Sequence, residues 1–221
     1  MIIMRNKFDE QLQLLDEMLT HMGELCELAI AKATKALQNG DAEQAKAIIT
    51  ADEEIDQLEK DIERLCLKLL LQQQPVAKDL RRISAALKMI TDMERIGDQT
   101  ADIAEIIITS KMPAEVVDVE EIGKMAAAVS KMVRDSVTAY VNKDLELATE
   151  VGASDDQVDE MFDEIKATLI SLIAENKGQD GNKTIDLIMI TKYLERIGDH
   201  ATNIAEWVEF SITGVHKGEE A

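Results

Sequence analysis

Apolar residues recur at three- and four-residue steps through Phe8, Leu12, Leu15, Leu19, Met22, Cys26, Ala29, Ala33 and Leu37, which is the stripe of one long amphipathic helix. Gln38-Asn39-Gly40 ends it. Gly40 suits a left-handed cap, and Asp41 followed by Gln44 reads as a capping box for the next helix. That helix runs from Asp41 to about Leu71 through Ala45, Ile48, Ile49, Ile55, Leu58, Ile62, Leu65 and Leu69. Pro75, which cannot continue a helix, then breaks the chain. A third helix is predicted from about Val76 to Thr109, and Pro113 divides the chain.

The same pattern then repeats: a helix over Glu115 to Tyr140, a second from Asp144 to about Glu175, a polar NKGQDGNKT turn, and a last helix from Thr184 to about Thr213. Asn39 and Asp41 correspond to Asn142 and Asp144, and Asp52 and Asp56 to Asp155 and Asp159, at one constant offset. After the second turn the offset shortens slightly, placing Glu94-Arg95-Ile96-Gly97-Asp98 over Glu195-Arg196-Ile197-Gly198-Asp199. The predicted fold is therefore all-α: two tandem, pseudo-symmetric up-down-up three-helix bundles, residues 1–112 and 113–221. One continuous six-helix assembly is the alternative.

Composition sharpens this picture. Two Pro and 10 Gly in 221 residues leave long uninterrupted helices, and a 46% hydrophobic content is enough for a sizeable core. Against 44 Asp and Glu stand only 24 Lys and Arg, a net charge of −20 that disfavours nucleic acid and anionic lipid. No apolar run approaches the length of a membrane span, and the short MIIM start is no signal peptide. A cytoplasmic protein without membrane insertion is expected. Cys26 and Cys66 fall on apolar stripes without metal-type spacing, so they read as buried, inert thiols.

Some of the negative charge is patterned. Asp52 and Asp56 lie one turn apart, as do Asp155 and Asp159; the third helices carry Glu94, Asp98 and Asp102 in one copy and Glu195, Asp199 and Asn203 in the other. Like charges at this spacing repel, so each face calls for water or a hard cation, such as iron, Mn, Mg or Ca, that accepts carboxylate oxygens, and Zn is not distinguished from these. Two separated metal centres or two solvated acidic surfaces satisfy the pattern equally. Gly97 and Gly198 interrupt good helices at a cost of about 1 kcal/mol each and call for a packing reason. Arg95 and Arg196 are placed to pair with neighbouring carboxylates. His200, opposite Gln99 in the other copy, has no duplicated partner, and no Glu-x-x-His pair, phosphate-binding loop or nucleophile elbow is present, so no enzyme is assembled. Arg81-Arg82 forms a small basic patch near the start of the third helix, replaced by Asn182-Lys183 in the second copy.

The paired segments Asp52-Glu53-Glu54-Ile55-Asp56 with Glu94-Arg95-Ile96-Gly97-Asp98, and Asp155-Asp156-Gln157-Val158-Asp159 with Glu195-Arg196-Ile197-Gly198-Asp199, give the chain a family likeness. Over almost its full length it resembles the PhoU family of phosphate-uptake regulators. The resemblance implies a non-enzymatic negative regulator that contacts a phosphate ABC transporter and a membrane-bound sensor histidine kinase from the cytoplasm, and a homodimer. It also implies multinuclear iron or other divalent-metal clusters, with Asp52, Asp56, Glu94, Asp98 and Asp102 as ligands of one and Asp155, Asp159, Glu195, Asp199 and Asn203 of the other. Asn203, in place of an acid, departs from the first copy. The competing functions are a metal-containing helical scaffold or regulator unrelated to phosphate and, behind it, a carboxylate-bridged di-metal enzyme.

Overall fold

The computed structural model describes residues 2–73, 75–111 and 119–216, with side chains described from residue 7 except at 72, 73 and 119. Six helices follow in order: α1 (Ile2–Asn39), α2 (Ala42–Gln73), α3 (Ala77–Ser110), α4 (Val119–Asn142), α5 (Leu145–Glu175) and α6 (Gly181–Thr213). The fold is all-α, two helical bundles in extensive contact.

The turns form as their residues dictate. Gly40 adopts φ 61°, and the Asp41 N–H reaches back to the Ala36 carbonyl at 2.9 Å, closing the α1 terminus. Asp41 Oδ1 then accepts from the Glu43 and Gln44 N–H groups at 3.1 and 3.0 Å, which starts α2. The second copy repeats the turn with Lys143 at φ 56° where the first has Gly40. There Asp144 N–H reaches the Ala139 carbonyl at 2.9 Å, and Asp144 Oδ1 caps Leu147 N at 3.0 Å.

Two helices begin earlier than periodicity predicts. α1 starts at Ile2 rather than near Phe8, because nothing in residues 2–7 breaks a helix. α6 starts at Gly181 rather than Thr184, because the Asp180 carbonyl already accepts the Thr184 N–H at 3.2 Å. The expected start of the fourth helix at Glu115, the division at Pro113 and the last residues of the tail lie outside the described residues.

Packing order follows from the stripes. α1 contacts α2, α3 and α4, and α6 contacts α3, α4 and α5, with the broadest interface between α3 and α6. α1, α3, α4 and α6 thus make an inner group, while α2 and α5 lie outside it. Their buried side chains form one continuous cluster from Phe8 to Val208 that spans both copies. The first-helix stripe is buried largely as expected, except that Ile30 takes the core position and Ala29 is only half-buried. Polar ties cross between copies: Tyr140 Oη donates to the Arg82 carbonyl at 2.8 Å, Ser110 Oγ to Asp186 Oδ2 at 2.5 Å, and Arg134 pairs with Glu27. Cys26 and Cys66 are free and buried; the Cys26 thiol donates to the Met93 carbonyl at 3.4 Å, and burial pushes the Cys66 thiol up to about 12.

Candidate functional site

Each acidic face forms where an outer helix meets an inner one. In the first, α2 presents Asp52 and Asp56 and α3 presents Glu94, Asp98 and Asp102 one turn apart. The packing reason for Gly97 is visible here. A Cβ at that position would overlap Asp52 Oδ1 and come within 3.1 Å of Ile55 Cδ1, so the missing side chain admits the Asp52 carboxylate against α3. Asp52 Oδ1 is buried without a hydrogen-bond partner.

The electrostatics follow from that position. Burial, then the charges of Asp56, Asp98, Glu94 and Asp102, push Asp52 from 3.8 up to about 6. Burial also raises Glu94, with Asp98 adding to it, and raises Glu59, with Glu63 and Asp56 adding. The compensating cation is peripheral: exposed Arg95 holds Asp98 at 2.9 Å and Glu94 at 3.5 Å, while Lys60 stands 3.9 Å from Asp56. Arg95 therefore pairs within its own helix. The five carboxylates are brought to one neighbourhood, with Asp52 as its innermost member.

The second face is the same frame with different filling. α5 carries Asp155 and Asp159, and α6 carries Glu195 and Asp199. A Cβ at Gly198 would meet Val158 Cγ1 at 3.3 Å and Asp155 Oδ1 only at 3.7 Å, so this carboxylate is not pressed against the glycine. Lys192, where the first copy has Thr91, pairs with the largely buried Glu195. Asp155 is raised by burial and by Asp159, Asp156 and Glu195, with the Thr202 hydroxyl opposing. Asp199 is raised by burial, Glu195 and Asp155, with Lys192 opposing.

Asn203 turns toward the other bundle. Its amide donates to Asp92 Oδ1 at 3.1 Å, and His200 Nδ1 meets the same oxygen at 2.9 Å. Asp102 has a matching outlook: burial raises it, while the Tyr193 hydroxyl and Arg196 of α6 act in the opposite direction. Asp92 and Tyr193 occupy equivalent repeat positions, as do Asp102 and Asn203, so the α3–α6 seam carries two related polar crossings. Reading the sequence for acids alone passed over Asp92, Tyr193 and Lys192. Superposing the repeats residue by residue is the signal that finds them.

The donor set suits a hard cation: carboxylate oxygens throughout, one of them orphaned, in a space that a side chain at 97 would fill. Among the described residues, however, no three His, Cys, Asp or Glu side chains are already drawn together as a set that could hold a metal ion. Among these residues, too, no helix is long and apolar enough to cross a membrane.

Known proteins share this architecture. The PhoU domain model matches residues 19–107 and again 122–208, one match for each copy. A phosphate-specific transport system accessory protein PhoU homolog of Clostridium acetobutylicum is 38% identical over 211 residues, covering 95% of this chain and 96% of that protein. The homolog of the same name from Zymomonas mobilis is 36% identical, over 94% of this chain and 87% of its own. The crystal structure of PhoU from Pseudomonas aeruginosa superposes with a TM-score of 0.88 at 32% identity, covering 94% of this chain and 100% of that one. The phosphate transport system regulatory protein PhoU from Streptococcus pneumoniae gives 0.85 at 26% identity, over 95% and 98%. These relatives are named as accessory and regulatory proteins, not as enzymes.

Proposed function

Because this chain belongs to the PhoU family, we propose that it is a negative regulator of phosphate uptake and of phosphate-starvation signalling, acting by protein contact rather than by chemistry on phosphate. The observation that carries this reading is the near full-length match, in both directions, to proteins named for the phosphate-specific transport system. The working partners are a phosphate ABC transporter and a membrane-bound sensor histidine kinase, met from the cytoplasmic side by a homodimer. A net charge of −20 favours cationic partner surfaces and works against self-association, which needs salt, a bound cation or an apolar contact to offset it.

In this reading the acidic faces hold divalent metal, iron among the candidates. Asp52, Asp56, Glu94, Asp98 and Asp102 would serve the first face, and Asp155, Asp159, Glu195 and Asp199 the second. A bound cation would neutralise the carboxylates and fix the spacing of an outer helix against an inner one. Asp52 would lose its raised pKa, and Gly97 would keep the space open.

The test is physiological. With the gene deleted from its native bacterium, a phosphate-repressed reporter should be expressed in phosphate-replete medium, and phosphate uptake should rise. Unchanged repression together with unchanged uptake would reject the role. Copurification with a transporter–kinase complex in a phosphate-dependent manner would support direct contact, whereas an assembly indifferent to phosphate would count against it.

A further inference from the structure

Away from both acidic faces, the first turn of α3, the end of α4 and the end of α6 enclose a cavity of about 140 Å³. That is many times the roughly 10–15 Å³ that holds one water. Its character is opposite to that of the molecule. In a chain of net charge −20, the lining carries Lys78, Arg82 and Lys143 against one acid, Asp79. Among the described residues neither Lys78 nor Lys143 takes part in an ion pair. Arg82 is held in place by Asp16 and leaves its buried Nε without a partner.

The backbone adds to the same field. Val76, the residue before α3, is extended and supplies no side-chain cap, and Lys78 and Asp79, whose N–H groups fall in the first turn where a helix offers no carbonyl partner, both line the cavity. Tyr140 and Ile212 provide an apolar side that excludes water and strengthens charge interactions. Lys143 sits at φ 56°, the turn position that the first repeat gives to Gly40. A lysine there has no conformational advantage over glycine.

Asp79 is the one acid among the lining residues. A carboxylate in a cationic pocket repels a fully deprotonated oxyanion, but accepts a hydrogen bond from one that retains a proton. Inorganic phosphate retains a P–O–H near neutral pH, whereas sulfate does not, and a phosphomonoester with a second pKa of about 6 has largely lost it. We propose that this cavity is a binding site for inorganic monohydrogen phosphate, with Lys78, Lys143 and the α3 N–H groups holding its oxygens and Asp79 accepting a hydrogen bond from its P–O–H. The site stands on its own geometry and does not depend on the regulatory reading.

Calorimetric titration of the full chain near neutral pH, with chelator present so that no cation on the acidic faces carries phosphate in, tests this directly. Saturable binding of one phosphate per chain is expected at or below roughly millimolar concentration. Sulfate and glycerol 3-phosphate should bind at least about tenfold more weakly. K78Q and K143G should each weaken phosphate by about tenfold. K143G installs the residue of the first repeat and should leave the melting temperature unchanged or raised, separating lost binding from lost folding. D79N should narrow the gap between phosphate and sulfate. No saturable binding up to about 10 mM, undiminished binding in K78Q and K143G, or equal binding of sulfate by the unaltered chain would overturn the assignment.

Discussion

The two acidic faces share a plan and differ in how their charge is compensated. The first presses Asp52 against a bare glycine, leaves one of its oxygens unpartnered and meets Glu94, Asp98 and Asp56 with the exposed cations Arg95 and Lys60. The second leaves Asp155 clear of Gly198 and pairs a lysine with Glu195. A duplicated backbone thus supports one face under electrostatic tension and one that is partly neutralised from within. The first is the stronger candidate for an external cation, because burial without a partner is what a cation would relieve.

The largest expected difference is in metal uptake. After equal reconstitution, D52N/D98N should lower divalent-metal affinity by at least about tenfold, and D155N/D199N by less, measured by elemental analysis and competition with a chelator. Equal losses from both faces would remove the contrast.

The next is pH dependence in metal-free protein. Asp52 has a folded pKa of about 6 against an ordinary 3.8, so the folded chain keeps this proton longer than the unfolded one. Its contribution to stability is full below 3.8 and is lost as pH rises to about 6. D52N should therefore stabilise the protein at neutral pH by about 1 kcal/mol, after allowing for the solvent-facing side of the group, and should flatten that slope in urea titrations. A wild-type stability that rises across the same interval, with D52N making no difference, would contradict the tension assigned to Asp52.

G97A and G198A then separate the two glycines. Both substitutions gain about 1 kcal/mol of helix propensity. At 97 the new methyl crowds Ile55 and displaces the Asp52 carboxylate, costing about 1–3 kcal/mol, against which the release of the Asp52 charge from burial returns about 1 kcal/mol at neutral pH, so the net effect should lie between about 1 kcal/mol stabilising and about 1 kcal/mol destabilising, with the Asp52 pKa lowered. At 198 the closest contact is one Val158 methyl at 3.3 Å, and the net effect should lie between neutral and about 1 kcal/mol stabilising. Denaturant midpoints with unchanged slopes report both. The smallest effect is expected from K192T, which gives the second face the residue of the first: a few tenths of a kcal/mol in stability and a further rise in the Asp199 pKa, seen in a carboxyl NMR titration. No movement of Asp199 would show that Lys192 does not compensate this face.

Much of this was legible in the sequence. The three- and four-residue stripes located all six helices, and Gly40, Asp41 and Asp144 act at the turns as their chemistry requires. The repeated ERIGD segments marked both acidic faces. Periodicity does not measure the distance between two helices, and so could not show that Gly97 admits Asp52 while Gly198 leaves Asp155 clear. Nor could a list of acids show that Asn203 and His200 turn to Asp92 across the α3–α6 seam, because that contact depends on how the two copies dock. The α6 start at Gly181 is not legible because Asp180 takes a left-handed conformation that its sequence does not announce.

The outer position of α2 and α5 has a kinetic consequence. Each of them rests on two neighbours, whereas every inner helix rests on three. Local opening therefore requires less free energy at the outer helices, and amide hydrogens of α2 and α5 should exchange ahead of those in α3 and α6. Each acidic face is thus half on a slow wall and half on a fast one, and whatever occupies it acts as a latch on the breathing of the fast half.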